Sequence, residues 1–165
     1  MATPAVAGDS AAAPAQAPAR IAAAVALAWL VPGLGHILLG QHRRGLVFAA
    51  IVWGCFGLGM AHDGRLALRD ARQPFLTTLQ VVANAGVGPA DMIARKAVYG
   101  AVVYRLGDLR PTPESARRGE TFRSRARSGV SIYGTAYLWT AGLMNLLLLF
   151  DVWDVGRGRT VASPS

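Results

Sequence analysis

The sequence predicts an all-α integral membrane protein: a transmembrane helical hairpin with one or two further membrane helices. Three apolar runs carry that prediction. Nineteen uncharged, mostly apolar residues, IAAAVALAWLVPGLGHILL, run from Ile21 to Leu39. At ~1.5 Å rise per residue they reach across roughly the 30 Å of a bilayer's hydrocarbon core. A second run, GLVFAAIVWGCFGLGMA, spans Gly45 to Ala61 after a short basic turn, and a third spans Val130 to Phe150. All three are apolar on every side instead of alternating. Helices, not barrel strands, are therefore expected to satisfy their backbone N–H and C=O groups in lipid.

Composition fits one small helical bundle. The 165 residues carry a formal charge of +8, from 17 Lys/Arg against 9 Asp/Glu. All but one of these cations are arginines, and nearly all lie between the apolar runs. That is where membrane topology places cytoplasmic anchors beside anionic head groups, so nucleic acid is not an expected partner. The lone Cys55 lies inside the second run, which excludes an intrachain disulfide and a CxxC metal motif.

Taken in order, residues 1–20 are Ala/Pro-rich and expected to be disordered. A cleaved signal peptide is disfavoured, because no basic residue precedes Arg20 and the apolar run outlasts a signal sequence. The hairpin is assigned to 21–39 and 45–61. Pro32 should kink its first helix near Ala28–Pro32. The Gln41-His42-Arg43-Arg44 turn then makes the two helices antiparallel neighbours. Gly33, Gly35 and Gly40 on one side, and Gly54, Gly57 and Gly59 on the other, read as facing packing surfaces. Segment 75–106 reads as short membrane or interfacial helices. Thr77, Gln80 and Asn84 form a polar stripe on the first of these, and Arg95, Lys96 and Arg105 lie opposite the apolar residues of the second. Residues 107–129 form a basic loop, where Thr112-Pro113-Glu114 could begin a short helix. A C-terminal transmembrane helix covers 130–153, with Gly142 and Asn145 on a packing stripe, and 154–165 is a short tail.

Arginine counts bear on orientation. Four spans with the N-terminus outside put eleven Lys/Arg in the cytoplasm and six outside; three spans with the N-terminus inside give thirteen and four. Both arrangements place 91–130 in the cytoplasm. The expected location is the bacterial cytoplasmic membrane, with the chain crossing it more than once.

The run Ala28-Trp29-Leu30-Val31-Pro32-Gly33-Leu34-Gly35-His36, with Gly40 and Gly45 after it, resembles an uncharacterised family of small bacterial membrane proteins, domain-of-unknown-function family 6677. The closing run Tyr137, Ala141-Gly142-Leu143-Met144-Asn145-Leu146-Leu147 and Asp151 resembles the same family. The hairpin is also similar to the two-transmembrane-helix domain. These resemblances imply an architecture and bring no activity with them.

No nucleophile elbow, phosphate-binding glycine loop or HExxH motif is present. No catalytic, cofactor-binding or metal-ligating residue is assigned, and no cofactor is expected. His42 and His62 fall at opposite ends of the second helix, which argues against a metal site shared with His36. His36 is the candidate functional residue, because an ionisable group within an apolar span raises a functional question. It reads as a neutral histidine hydrogen-bonded to a freed carbonyl or a neighbouring helix, with proton handling or ligand binding as the competing role. Asp151 and Asp154 read as a polar stop signal or as partners of nearby arginines. The helix-packing set is Pro32, Gly33, Gly35, Gly40, Gly54, Gly57, Gly142 and Asn145. The expected role is structural and non-enzymatic: helix packing, contact with the lipid bilayer, and binding of anionic lipid or a cytoplasmic protein at the Arg-rich loop, with a homo-oligomer allowed. The alternative is a transporter or channel subunit whose polar path is lined by His36, Gln80, Asn84 and Asn145.

Overall fold

The computed structural model describes residues 16–108 and 130–159. The basic loop expected over 107–129, apart from its first two residues, lies outside them, as do residues 1–15 of the N-terminal segment and 160–165 of the tail. Six α-helices make up the described fold: α1 (Pro18–Leu30), α2 (Leu34–Leu38), α3 (His42–Ala61), α4 (Pro74–Ala85), α5 (Pro89–Tyr99) and α6 (Val130–Gly156). A 3-10 turn occupies Leu106–Asp108, and no β-strand occurs among the described residues.

Among the described residues, α3 and α6 are the two helices long and apolar enough to cross a membrane. They pack antiparallel. At one end Gly59 meets Leu138 and Gly134, and at the other Arg44 approaches Asp151. The seam needs small residues, since a Cβ added at Gly134 would come within 2.5 Å of the His62 carbonyl oxygen.

The first apolar run is not a continuous span. Proline cannot continue the hydrogen-bond ladder of α1, and Gly33 follows it at φ 92°, a left-handed conformation that L side chains rarely adopt. Together they reverse the chain where the sequence predicted a kink. α2 therefore returns alongside α1, and the Arg20 guanidinium donates to the Leu38 carbonyl at 3.0 Å. Thirteen residues of α1 reach only ~20 Å, about two thirds of a bilayer core. Residues 18–20, expected to be disordered, form the first turn of this helix.

Segment 74–99 repeats the device from the opposite end of the α3/α6 pair. α4 starts beside Asp70, whose backbone N–H donates to Thr77 Oγ1 at 3.1 Å, and it reaches the middle of α6 at Gly86. The chain turns through Gly86-Val87-Gly88, with Gly88 at φ 78° and Pro89 opening α5. α5 then returns, and the Tyr99 hydroxyl donates to the Leu66 carbonyl at 2.8 Å. A hairpin followed by a long helix thus occurs twice, in opposite senses. His36 and Asp91 occupy the same place in the two units, third in the returning helix after a positive-φ glycine.

The two hairpin tips meet at mid-bundle. A side chain at Gly88 would collide with the Trp29 carbonyl, and one at Gly142 with the Ala83 carbonyl. Val52, Val87, Ala90, Ala141 and Leu148 form the apolar core around this contact.

Candidate functional site

Three groups of buried polar side chains hold the hairpins in place, two against α6 and one against the irregular segments that flank α4 and α5. The first lies at the α4–α5 tip. Where α4 ends, its last carbonyls have no helical donor, and Asn145 Nδ2 on α6 donates to the Gly86 oxygen at 2.8 Å. Asn145 Oδ1 makes no hydrogen bond among the described residues, nor does either amide atom of Asn84, which is 2 % exposed. Gln80 lies one turn earlier on α4, half-buried.

The second group lies beneath the α1–α2 hairpin. His36 is fully buried, and its Nε2 is 2.7 Å from Asp151 Oδ2. Its ring stands 5.2 Å from that of Phe48, and Nδ1 makes no hydrogen bond among the described residues. Arg44 lies 3.8 Å from the same carboxylate, so Asp151 joins α2 to the start of α3. Asp151 is the sixth residue after Asn145, ~9 Å further along α6, which puts the two groups at different depths.

The third group was hidden in the sequence. Arg95, assigned there to a polar outer face, is fully buried with Asp91, and its Nε donates to Asp91 Oδ2 at 2.7 Å. Its Nη1 donates at 2.9 Å to the carbonyls of Ala67 and Val103. Tyr104 covers the guanidinium, 4.3 Å from the ring centroid. Arg95 thereby ties two irregular segments to α5, and the Arg69 and Leu106 N–H groups link the same segments. Burial, reinforced by the Asp91 carboxylate, pushes the Tyr104 hydroxyl above its ordinary range. The signal that could have found this pair is Asp91 and Arg95 at i and i+4, flanked on the same stripe by Ala90 and Ala94.

The expected packing glycines divide into two sets. Pro32, Gly33, Gly35 and Gly142 are buried at close contacts. Gly33 faces Gly45 and Ala49, and a Cβ on Gly35 would lie 2.5 Å from the Ala24 oxygen. Gly40, Gly54 and Gly57, expected to pack, would have open space around a Cβ among the described residues. The correction has a geometric cause. α2 reaches α3 only at its first turns, so the face of α3 that packs carries Gly45, Val52 and Gly59, spaced by seven, and not Gly54 or Gly57. His42 and His62 are exposed at opposite ends of α3, and no group of three potential metal ligands occurs among the described residues.

Among the described residues, fold and polar clusters together define an all-α protein with two helices of membrane-spanning length and two hairpins packed against them. The chain belongs to the Family of unknown function (DUF6677), which it matches over residues 23–161. Comparison with curated proteins and with solved structures finds no match.

Proposed function

We propose that this is a non-enzymatic integral membrane protein, a packing and interaction module of the bacterial cytoplasmic membrane. Two spans, α3 and α6, clamp two re-entrant hairpins inserted from opposite faces. The observation that carries the reading is the inversion of polarity across the bundle. Leu46, Val47, Ile51 and Leu58 of α3, Phe75 and Leu79 of α4, and Leu143, Leu147 and Phe150 of α6 are exposed, while His36, Asn84, Asp91, Arg95 and Asn145 are buried. An apolar exterior over a polar interior suits lipid as the solvent. Two of the buried groups, His36 and Asn145, spend a hydrogen bond on another element, which is how polar residues fix helices in membranes.

Five cations, Arg20, Arg43, Arg44, Arg157 and Arg159, belong to the end where α1 begins and α6 stops, and the other twelve lie in 62–129. The bias orients 62–129 toward the cytoplasm and both chain termini away from it. The Arg-rich segment then meets anionic lipid or a cytoplasmic protein.

A second reading, passage of a proton or small polar solute, is favoured by the Asn84 amide, which has no hydrogen-bond partner among the described residues, beside two Gly/Pro-interrupted hairpins, the pattern by which many transporters build a midplane site. One reconstitution separates the two. In the packing reading, vesicles holding the wild type show no pH-dependent flux. His36→Gln keeps stability, whereas His36→Leu loses ~1–3 kcal/mol by removing the hydrogen bond to the Asp151 carboxylate, which then keeps only the more distant Arg44. A wild-type flux abolished in His36→Gln and Asn84→Leu, with stability unchanged, would overturn the packing reading.

A further inference from the structure

Where α6 stops beside the first turn of α1, a cleft of about 380 Å³ opens between Gln16, Pro18, Ile21, Trp153, Arg157 and Arg159. Its wall is closed by the Gln16 N–H donating to the Gly156 carbonyl at 3.0 Å, and by Ile21 against Gly156. Among the described residues the lining combines apolar surface from Pro18, Ile21 and Trp153 with two guanidinium groups and an amide, and holds no carboxylate. The Arg157 guanidinium is held over the Trp153 ring, 4.5 Å from its centroid, and neither Arg157 nor Arg159 forms an ion pair among the described residues. Asp154, the carboxylate nearest in sequence, pairs with neither. Arg20, at the same end, is already committed to Gln16 Oε1 and the Leu38 oxygen, so it keeps Gln16 in place and does not compete for an anion.

We infer that this cleft binds the phosphate head group of an anionic phospholipid, with Arg157 and Arg159 on the phosphate and Pro18, Ile21 and Trp153 against the glycerol and upper acyl chain. Charge complementarity selects the occupant. Two unneutralised arginines favour an anion, and the adjoining apolar wall favours an amphiphile over a soluble phosphate. Trp153 is placed as interfacial tryptophans are, at the level of the head groups. The inference rests on membrane integration as proposed above.

The test uses the full chain, reconstituted in equimolar phosphatidylglycerol and phosphatidylcholine, re-solubilised in mild detergent and weighed intact by native mass spectrometry. Wild type should retain phosphatidylglycerol in preference to phosphatidylcholine. The R157Q/R159Q variant should lower that preference on the order of tenfold, and Arg43→Gln, at the same end but outside the cleft, should leave it unchanged. Equal retention by wild type and the double variant would overturn the site, as would an equal loss in Arg43→Gln or displacement of the lipid by millimolar glycerol phosphate. Alkaline extraction of the same membranes keeps the two claims apart. A chain released by alkali contradicts membrane integration itself, whereas a chain that resists extraction but shows no lipid preference contradicts only the cleft.

Discussion

Replacing Asp91 by alanine strands a guanidinium that is 0 % exposed and reaches no other carboxylate within 4 Å among the described residues. Removing one member of a buried pair costs about 3–5 kcal/mol, because the remaining charge keeps its desolvation penalty. Arg95→Met should cost at least as much. It leaves the Asp91 carboxylate unpaired and also frees the Ala67 and Val103 carbonyls, each worth about 1–3 kcal/mol when buried without a donor. The double variant carries no stranded charge and loses only the two carbonyl bonds. It should therefore be more stable than the sum of the single losses by at least about 3 kcal/mol, a coupling large enough to measure. Equilibrium unfolding of the four proteins in mixed micelles, followed by helical circular dichroism, closes the cycle. Additivity within about 0.5 kcal/mol, or an Asp91→Ala loss below about 1 kcal/mol, would refute the claim that this pair is buried and mutually dependent.

Two further outcomes follow from the packing. Gly142→Leu should abolish a folded state, since even a methyl group there collides with the Ala83 carbonyl, while Gly54→Ala should leave thermal stability in detergent unchanged or raise it by up to ~1 kcal/mol. Equal losses in both variants would contradict the assignment of inner and outer faces. Burial is the main cause raising the Tyr99 hydroxyl above its ordinary value of 10.0, opposed by Arg95 and helped by Asp91. The folded state thus holds the proton more tightly than the unfolded chain; the resulting stabilisation is complete below pH 10 and lost as the pH rises above it. A stability titration from neutral to strongly alkaline pH should fall more steeply for wild type than for Tyr99→Phe, and parallel curves would contradict it.

The long helices were legible because their signal is length. Both α3 and α6 begin and end within a few residues of the expected 45–61 and 130–153. The first hairpin was not, for a physical reason. Composition reports whether a residue is soluble in lipid, and Ile21–Leu39 is lipid-soluble whether it crosses or turns back. What decides between the two is the conformation of Gly33 after Pro32, a single φ angle that apolar character does not encode. The same holds for Gly88 before Pro89, where the sequence showed a break but not a return. His36 is expected from the sequence to bond a freed carbonyl or a neighbouring helix; in the structure its Nε2 lies 2.7 Å from Asp151 on α6, a carboxylate that the sequence marks only as a stop signal or an arginine partner. The histidine and the aspartate are 115 residues apart, so no local spacing could join them. Arg95 was misplaced because amphipathic reading assumes that charge faces water, and a carboxylate one turn earlier removes that need.

The first apolar run enters and leaves at the same end of the bundle, where Arg20 at its start bonds Leu38 near its finish. Single cysteines at Gln16, His42 and Arg72, each in a Cys55→Ala background, can be probed with an impermeant thiol reagent on right-side-out and inverted membranes. The opposed-hairpin arrangement requires Gln16→Cys and His42→Cys to label from one side and Arg72→Cys from the other. If the run from Ile21 to Leu39 instead crosses the membrane, Gln16→Cys will label with Arg72→Cys and opposite His42→Cys, and the re-entrant hairpin is contradicted.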